Sequence, residues 1–171
     1  MSFNCSIFLE DIDINCNANT AGGIKKVVLG LQRDLTIDLD PTDETLVTSA
    51  VLENSVVFGH NTKDSTTVFT EAKNTSNGLG VITTEILVKL PMLNRKMNKV
   101  DYMSRRSDIV CIMYHNNGTA TISGWMDGLT MNYTATSGTT KTEISSVDVS
   151  LTTDSWIASL AVENLSIIDL P

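Results

Sequence analysis

The stretch Ile109 to Ser123 constrains this 171-residue chain more than any other. It opens with the unbroken apolar run Ile109-Val110-Cys111-Ile112-Met113-Tyr114 and closes with Thr119-Ala120-Thr121-Ile122-Ser123, where small polar and apolar residues alternate. His115-Asn116-Asn117-Gly118 lies between, and Asn-Gly favours the positive backbone angles of a tight hairpin turn. Side chains alternate faces along a strand, so an apolar run needs cover on both faces, whereas an alternating run has one wet face. The expectation is a hairpin that starts in the core and returns along a surface. Thr119, Thr121 and Ser123 would form the hydrophilic wall of a channel or a subunit seam, with His115 and Asn116 at its turn.

Around this hairpin the pattern is of many short strands. Strand candidates are Ile24–Leu31, Leu35–Leu39, Ser55–Phe58, Thr66–Thr70, Val81–Leu90, Leu129–Thr134 and Val147–Thr152; Leu46–Leu52 reads as a short helix or a strand. Leu35, Ile37 and Leu39 alternate with Thr36 and Asp38, and Val147, Val149 and Leu151 with Asp148 and Ser150, which is the period of half-buried strands. One clear helix is expected over 93–106, where Leu93, Met97 and Val100 recur at three- and four-residue steps with Met103 at the edge of the stripe. Arg95, Lys99 and Arg106 project roughly opposite. Many strands and one helix predict a mainly β fold, a β-sandwich or barrel with one flanking α-helix. Three parts are expected: an N-terminal arm over 1–23, the sandwich over 24–155, and a C-terminal tail over 156–171 that suits a short helix or packing on a neighbour.

Charge narrows the function classes. The net charge is -8, which argues against a broad nucleic-acid grip, because such faces are basic. It suits a surface that nucleic acid slides past. No apolar run approaches the roughly 20 residues of a membrane helix, and acidic Glu10, Asp11 and Asp13 follow Ile7-Phe8-Leu9, so neither membrane contact nor a secretory leader is expected. The three cysteines, Cys5, Cys16 and Cys111, lack metal-type spacing. Cys111 is expected as a buried thiol in a reducing cytosol; a Cys5–Cys16 bridge remains open.

No catalytic constellation is expected. His60 and His115 are the only two histidines, and both sit in turn-like sequence. Asp38, Asp40, Asp43 and Glu44 could be read as a metal site or an acid/base pair. They have no His or Cys beside them, and Pro41 marks an exposed turn, so a solvated loop is the preferred reading. The segment after Asp11 imitates a calcium loop but has Cys16 and Gly22 where that loop needs Gly and Glu. No metal, cofactor or enzyme activity is expected.

The order of features resembles the tail-tube and ring proteins of tailed bacteriophages, and is most similar to those of crAss-like and other Bacteroidetes phages. The resembling pieces begin with Gly22-Gly23-Ile24-Lys25-Lys26-Val27 and Phe69-Thr70-Glu71 followed by Asn74-Thr75-Ser76-Asn77-Gly78. A long strand into Leu90-Pro91 with a basic helix after it comes next, then Asp108-Ile109-Val110 entering the Asn117-Gly118 hairpin. Gly124-Trp125-Met126-Asp127-Gly128-Leu129 and the Thr-rich loop Thr134 to Thr140 complete the set. The likeness runs from about Gly22 to Thr152 and departs from the pattern in the Trp156–Pro171 tail and near Ser145-Ser146. It implies a structural virion protein, assembled in the host cytoplasm into a closed ring of six or more copies. The ring would stack on adjacent tail or connector rings and line the channel through which DNA and ejected proteins pass without specific binding. On that reading Asp38, Asp127 and Asp148 are candidates for an acidic lumen, and Arg95, Lys99, Arg106, His115 and Asn116 for subunit contacts. The alternative is a β-sandwich binding module, a receptor-binding or decoration protein recognising a surface glycan or protein, with Trp125 and Tyr133 as its ligand-contacting pair. A hydrolase using the 38–44 carboxylates is the third class.

Overall fold

The computed structural model describes residues 23–43, 46–60, 66–75, 80–91, 97–137 and 145–170. The expected arm apart from Gly23, the start of the expected helix with Arg95, and Glu44 lie outside the described residues. The described residues form twelve strands. They are β1 (Ile24–Leu31), β2 (Leu35–Leu39), β3 (Val47–Leu52), β4 (Ser55–His60), β5 (Thr66–Asn74) and β6 (Val81–Pro91), then β7 (Ile109–His115), β8 (Ala120–Ser123), β9 (Thr130–Thr136), β10 (Ser146–Ser155), β11 (Leu160–Val162) and β12 (Ile168–Asp169). The α-helix α1 covers Met97–Ser104. The protein is therefore a β-sandwich with one short helix, as its sequence pattern predicts. The segment 47–52, open between helix and strand in the sequence, is a strand.

The strands form three sheets: β11-β8-β7-β1-β4, β5-β6-β10-β9 and β12-β3-β2. The five-stranded sheet is the middle layer. Ile24, Val27 and Leu29 of β1 and Ile109, Cys111 and Met113 of β7 pack towards the four-stranded sheet, against Ile86, Val88, Met131, Val147, Val149 and Leu151. Val28, Val110 and Ile112 point the other way, towards Val47, Ala50 and Leu52 of the three-stranded sheet. Strand β7 is thus covered on both faces, and Ile109 through Met113 have 0% exposure. Burying each large apolar side chain contributes about 1.5–3 kcal/mol, which is why an unbroken apolar run is needed at this position. Bulges in the β1 pairings, between Ile24 and Lys26 and between Val27 and Val28, shift the alternation so that Ile24 and Val27 reach the same cluster.

The return strand departs from expectation. Strand β8 pairs with β7 on one side and with β11 on the other. Ser123 is fully buried and Thr121 half-buried, so the hairpin does not come back along a hydrophilic wall. Small hydroxyl side chains enter the interior without penalty when each finds a partner. Ser123 Oγ lies 2.7 Å from Ser159 Oγ, and Thr121 Oγ1 lies 2.8 Å from His115 Nε2. The turn encloses three residues: the His115 N–H donates to the Thr119 carbonyl at 2.9 Å, and Gly118 supplies the left-handed conformation at φ 90°. This is the three-residue hairpin with a glycine bulge rather than the two-residue turn.

The C-terminal segment also departs from expectation. Its described residues form no α-helix, only a 3-10 turn at Leu165–Ile167. Leu160-Ala161-Val162 closes one edge of the middle sheet as β11, and Ile168-Asp169 pairs with β3 in parallel. Leu160 and Val162 are buried in the same cluster as Ile112 and Ile122. Of the residues that suggested a helix, Leu160 and Ala161 lie in β11, Ile157 is exposed, and Leu165 opens a single 3-10 turn capped by Asn164. Helix α1 packs against β9, with Val100 buried and Met103 partly buried in the cluster below it.

Chain passage between layers concentrates strain at Gly124-Trp125-Met126-Asp127-Gly128, where β8 of the middle sheet leads into β9 of the four-stranded one. Gly124 and Gly128 adopt φ 75° and 71°. A Cβ on Gly128 would stand 2.3 Å from the Ser107 carbonyl oxygen, whereas one on Gly118 would meet nothing within 4 Å. Gly128→Ala therefore combines left-handed strain with a backbone clash and is expected to lower stability by at least about 2 kcal/mol. Gly118→Ala carries the conformational cost alone, about 1 kcal/mol. Urea denaturation midpoints of the two variants check the order; equal losses would show that the close approach to Ser107 does not matter.

Candidate functional site

Among the described residues the four-stranded sheet presents an uncovered, regular outer face. In β6, Thr84, Ile86 and Val88 point to the core, which sends Thr83, Glu85, Leu87 and Lys89 outwards. In β10, Val147, Val149 and Leu151 are buried, which sends Asp148, Ser150, Thr152 and Asp154 outwards. The flanking strands follow suit, with Val68 and Thr70 exposed on β5 and Thr130, Asn132 and Thr134 on β9. This outer face is mostly hydroxyl and amide. Its carboxylates are Glu85, Asp148 and Asp154, and among the described residues Lys89 is the one cation there, directly opposite Asp148 in register. Asp154 accepts a hydrogen bond from Thr83 Oγ1 at 2.7 Å. A shallow cleft of about 380 Å³ crosses the face between Val68, Leu87, Asn132 and Asp148.

The three acidic candidates do not share a surface. Asp148 lies on this outer face. Asp127 sits in the Gly124–Gly128 turn and accepts a short hydrogen bond from the Ser155 hydroxyl. Asp38 points away from the core on β2, where Leu35, Ile37 and Leu39 fill the cluster between the three-stranded and middle sheets. That places it on the opposite outer layer. The residues that accompany Asp148 are Glu85 and Asp154. Period-two alternation across Thr83–Lys89 and Asp148–Asp154 carried that signal, because the strand pairing sets Asp154 beside Thr83 and Lys89 beside Asp148.

The contact candidates fare differently from one another. Arg106 follows the helix and forms a two-pronged ion pair with Asp108, Nε to Oδ1 at 2.9 Å and Nη2 to Oδ2 at 3.1 Å. This hydrogen-bonded pairing holds the Asp108 carboxyl below the usual carboxylate range. Arg106 is half-buried and engaged within its own chain, so it is not part of an outward basic face. Lys99 lies on α1. His115 is half-buried against Thr121, and the Asn116 N–H donates to the Gly23 carbonyl at 3.0 Å, fastening the turn to the start of β1.

The residues of the alternative readings are placed as follows, Glu44 lying outside the described residues. Trp125 packs with the cluster between the middle and three-stranded sheets and donates Nε1–H to the Ala158 carbonyl at 3.1 Å. Tyr133 packs with the other cluster and donates to Asp101 Oδ1 at 3.2 Å. The two aromatic rings do not form one exposed pair. Asp40 organises its own turn, accepting from the Thr42 N–H, the Thr42 hydroxyl and the Asp43 N–H, and the Thr42 hydroxyl is the main cause that lowers its carboxyl. This is a turn cap. Burial pushes the Cys111 thiol far above its ordinary range, so it offers no thiolate. Among the described residues no group of three or more His, Cys, Asp and Glu is placed to hold a metal ion, and no helix is long and apolar enough to cross a membrane.

A polar clasp fixes the open sheet to the middle layer. Glu71 Oε2 accepts from the Ser159 N–H at 3.0 Å, the Ser159 hydroxyl at 2.6 Å and the Thr84 hydroxyl at 3.1 Å, and Ser159 reaches on to buried Ser123. Sequence reasoning missed this role of Glu71, because its partners Thr84 and Ser159 come from two separate segments.

Glu71→Ala strands these donors in a partly buried seam and is expected to cost about 2–3 kcal/mol in a chemical unfolding titration. An effect near zero would show that water replaces the carboxylate. His115 gives a pH signature. Burial lowers its folded pKa below the ordinary 6.5, so below that pH the unfolded chain binds a proton that the folded chain refuses. Stability contributed by neutral His115 is present above pH 6.5, falls as pH drops below it, and levels off once the folded pKa is passed. Imidazole titration by NMR is expected to place His115 below free histidine, and His115→Gln to remove this slope. No family model, curated protein or solved structure matches the chain.

Proposed function

We propose that this protein is a structural ring subunit of a phage-type tail or head–tail connector, and that the outer face of β5-β6-β10-β9 lines the channel. The observation that carries the reading is that face: an uncovered antiparallel sheet mostly of hydroxyl, amide and carboxylate groups around exposed Val68 and Leu87, with Glu85, Asp148 and Asp154 against Lys89. The carboxylates of such a wall repel phosphates, and among the described residues its one cation, Lys89, stands opposite Asp148. The ordered likeness to tail-tube proteins points the same way.

The sheet is also suited to closure. It has four strands, each antiparallel to its neighbour. The edge strands β5 and β9 therefore run in opposite directions. In a rotationally symmetric ring, β9 of one copy meets β5 of the next in antiparallel register, and the alternation continues around the ring without a break. Closure removes both exposed edges, which are an aggregation hazard in a monomer. Six copies give a wall of about 24 strands and a backbone diameter of roughly 45–50 Å at ordinary spacing and tilt. That leaves room for a DNA duplex after side chains are allowed for.

Negative-stain microscopy of the concentrated protein is expected to show rings or short tubes. A chain that stays monomeric at every concentration, alone and with other tail proteins, overturns the reading. The lumen assignment has its own check. Glu85, Asp148 and Asp154 are exposed, so changing all three to Lys is expected to leave the fold intact. Rings of that variant are expected to retain double-stranded DNA at low salt and release it as salt rises, with log K falling about 0.9 per phosphate contacted for each tenfold increase in salt. Wild-type rings are expected to retain none.

A further inference from the structure

Among the described residues, two turns set a side-chain carbonyl directly before a glycine: Asn117-Gly118 and Asp127-Gly128. Both pairs have the parts for one reaction, in which the glycine nitrogen attacks the side-chain carbonyl carbon before it and closes a cyclic imide. Glycine brings no Cβ to crowd that ring. The fold separates the two. Gly128 is buried, donates its N–H to the Gly124 carbonyl at 3.0 Å, and approaches Ser107 so closely that a Cβ would stand 2.3 Å from its carbonyl oxygen. The Asp127 carboxylate is held by the Ser155 hydroxyl. Closing the ring there would unpack the corner between the sheets.

The hairpin turn is open instead. Asn117 and Gly118 are both exposed, and a Cβ on Gly118 would meet nothing within 4 Å. The Gly118 N–H reaches the His115 carbonyl only at 3.3 Å, longer than an ordinary backbone bond. Asn117 Oδ1 accepts from the Thr119 N–H at 3.1 Å and from Thr119 Oγ1 at 2.8 Å. Such an Asx turn folds the side chain back over the peptide unit that follows it. Donors aimed at a carbonyl oxygen bind it more strongly as negative charge develops there.

We propose that Asn117 is a site of spontaneous modification, where the turn promotes loss of the asparagine amide. The Gly118 nitrogen gives its proton to solvent hydroxide and bonds to Asn117 Cγ. The charge that develops on Oδ1 is held by the two Thr119 donors. The Cγ–Nδ2 bond then breaks, and Nδ2 leaves as ammonia with a proton from water. A second water adds to one of the two imide carbonyls and opens the ring, leaving a carboxylate on an aspartyl or isoaspartyl residue. The product adds one negative charge to the -8 of the chain, at the turn that fastens Gly23 through the Asn116 N–H. The isoaspartyl form also lengthens the main chain of the turn by one carbon, which loosens that fastening. None of this depends on what the open sheet face does.

Peptide mapping by mass spectrometry tests the proposal on the full folded chain at mildly alkaline pH, with isoaspartyl methyltransferase labelling to mark the isomer. Conversion at Asn117 is expected to run at least about tenfold faster than at Asn116, which precedes a residue with a side chain, and than isomerisation at Asp127. Asn77, before the other Asn-Gly of the chain, lies outside the described residues and maps to a separate peptide. Thr119→Val keeps the backbone donor and removes the hydroxyl. It is expected to slow conversion about two- to tenfold, the worth of one hydrogen bond, and Thr119→Ser to restore the rate. Unchanged hydrogen exchange in β7 confirms that both variants are folded. A Thr119→Val rate equal to or above that of the unaltered chain overturns the proposal. Faster conversion in the urea-unfolded chain than in the folded one overturns it too, because the turn would then protect the amide.

Discussion

The fold depends on burying both faces of β1 and β7. These two strands are hydrogen-bonded on both edges and lie beneath apolar layers above and below. A strand in that position needs two separate covers, and the chain supplies them by leaving the middle sheet and returning to it. After β1 it departs to make β2 and β3, one cover, and comes back as β4. It departs again to make β5 and β6, half of the other cover, and comes back through α1 as β7 and β8. A third departure makes β9 and β10, and β11 returns to the middle sheet. The order of elements along the chain is the order in which the two faces of one sheet are closed.

Passing between layers exposes backbone and polar groups to a dry seam, and the seam is where the unusual chemistry gathers. Gly124 and Gly128 allow the corner from β8 to β9 to press against the carbonyls of Ile109 and Ser107. Gln32 bonds its side-chain amide to the Trp125 and Met126 carbonyls of the same corner. Glu71, Thr84, Ser123 and Ser159 satisfy one another where the four-stranded sheet meets the segment leading into β11. Hydrogen bonds made this way are worth more for what they prevent than for what they add, since an unmet buried donor costs more than a typical bond contributes. They tie the four-stranded sheet to the middle layer from its inner side, opposite the open face.

Much of this was legible from residue order alone. The run 109–114 reads directly as a doubly covered strand, because no other setting tolerates six apolar side chains pointing alternately to two sides. Clean alternation at 35–39 and 147–152 gave those strands and their buried faces. Three things were not legible. Periodicity says that a face is covered, not by which sheet, so two covers in a three-layer stack look the same as one sandwich. The hydroxyl residues of β8 look like surface because burial of Thr121 and Ser123 depends on partners at His115 and Ser159, and Ser159 is distant in sequence. The segment 156–170 has apolar spacings that suit a short helix as well as two short strands, and only the vacant edges of β8 and β3 decide between them.

The same limit applies to the candidate site. Asp148 was found because its own strand alternates cleanly, but its neighbours on the face come from β6, and the register that brings Lys89 beside it is a property of the folded sheet. Strand edges sharpen the point. Edges of the three sheets that are formed by β11 and β12 are only three and two residues long, and the β2 edge carries outward Thr36 and Asp38; short or charged edges resist chance pairing. The longer edges β4 and β9 carry no Asp, Glu, Lys or Arg, and β5 carries Glu71 and Lys73. Those of β5 and β9 are rich in threonine and would gain mainly backbone hydrogen bonds from a neighbour, whereas β4 would also bury valine on both faces. Among the described residues the sandwich thus has blunted short edges and open long ones, and the open edges differ in chemistry.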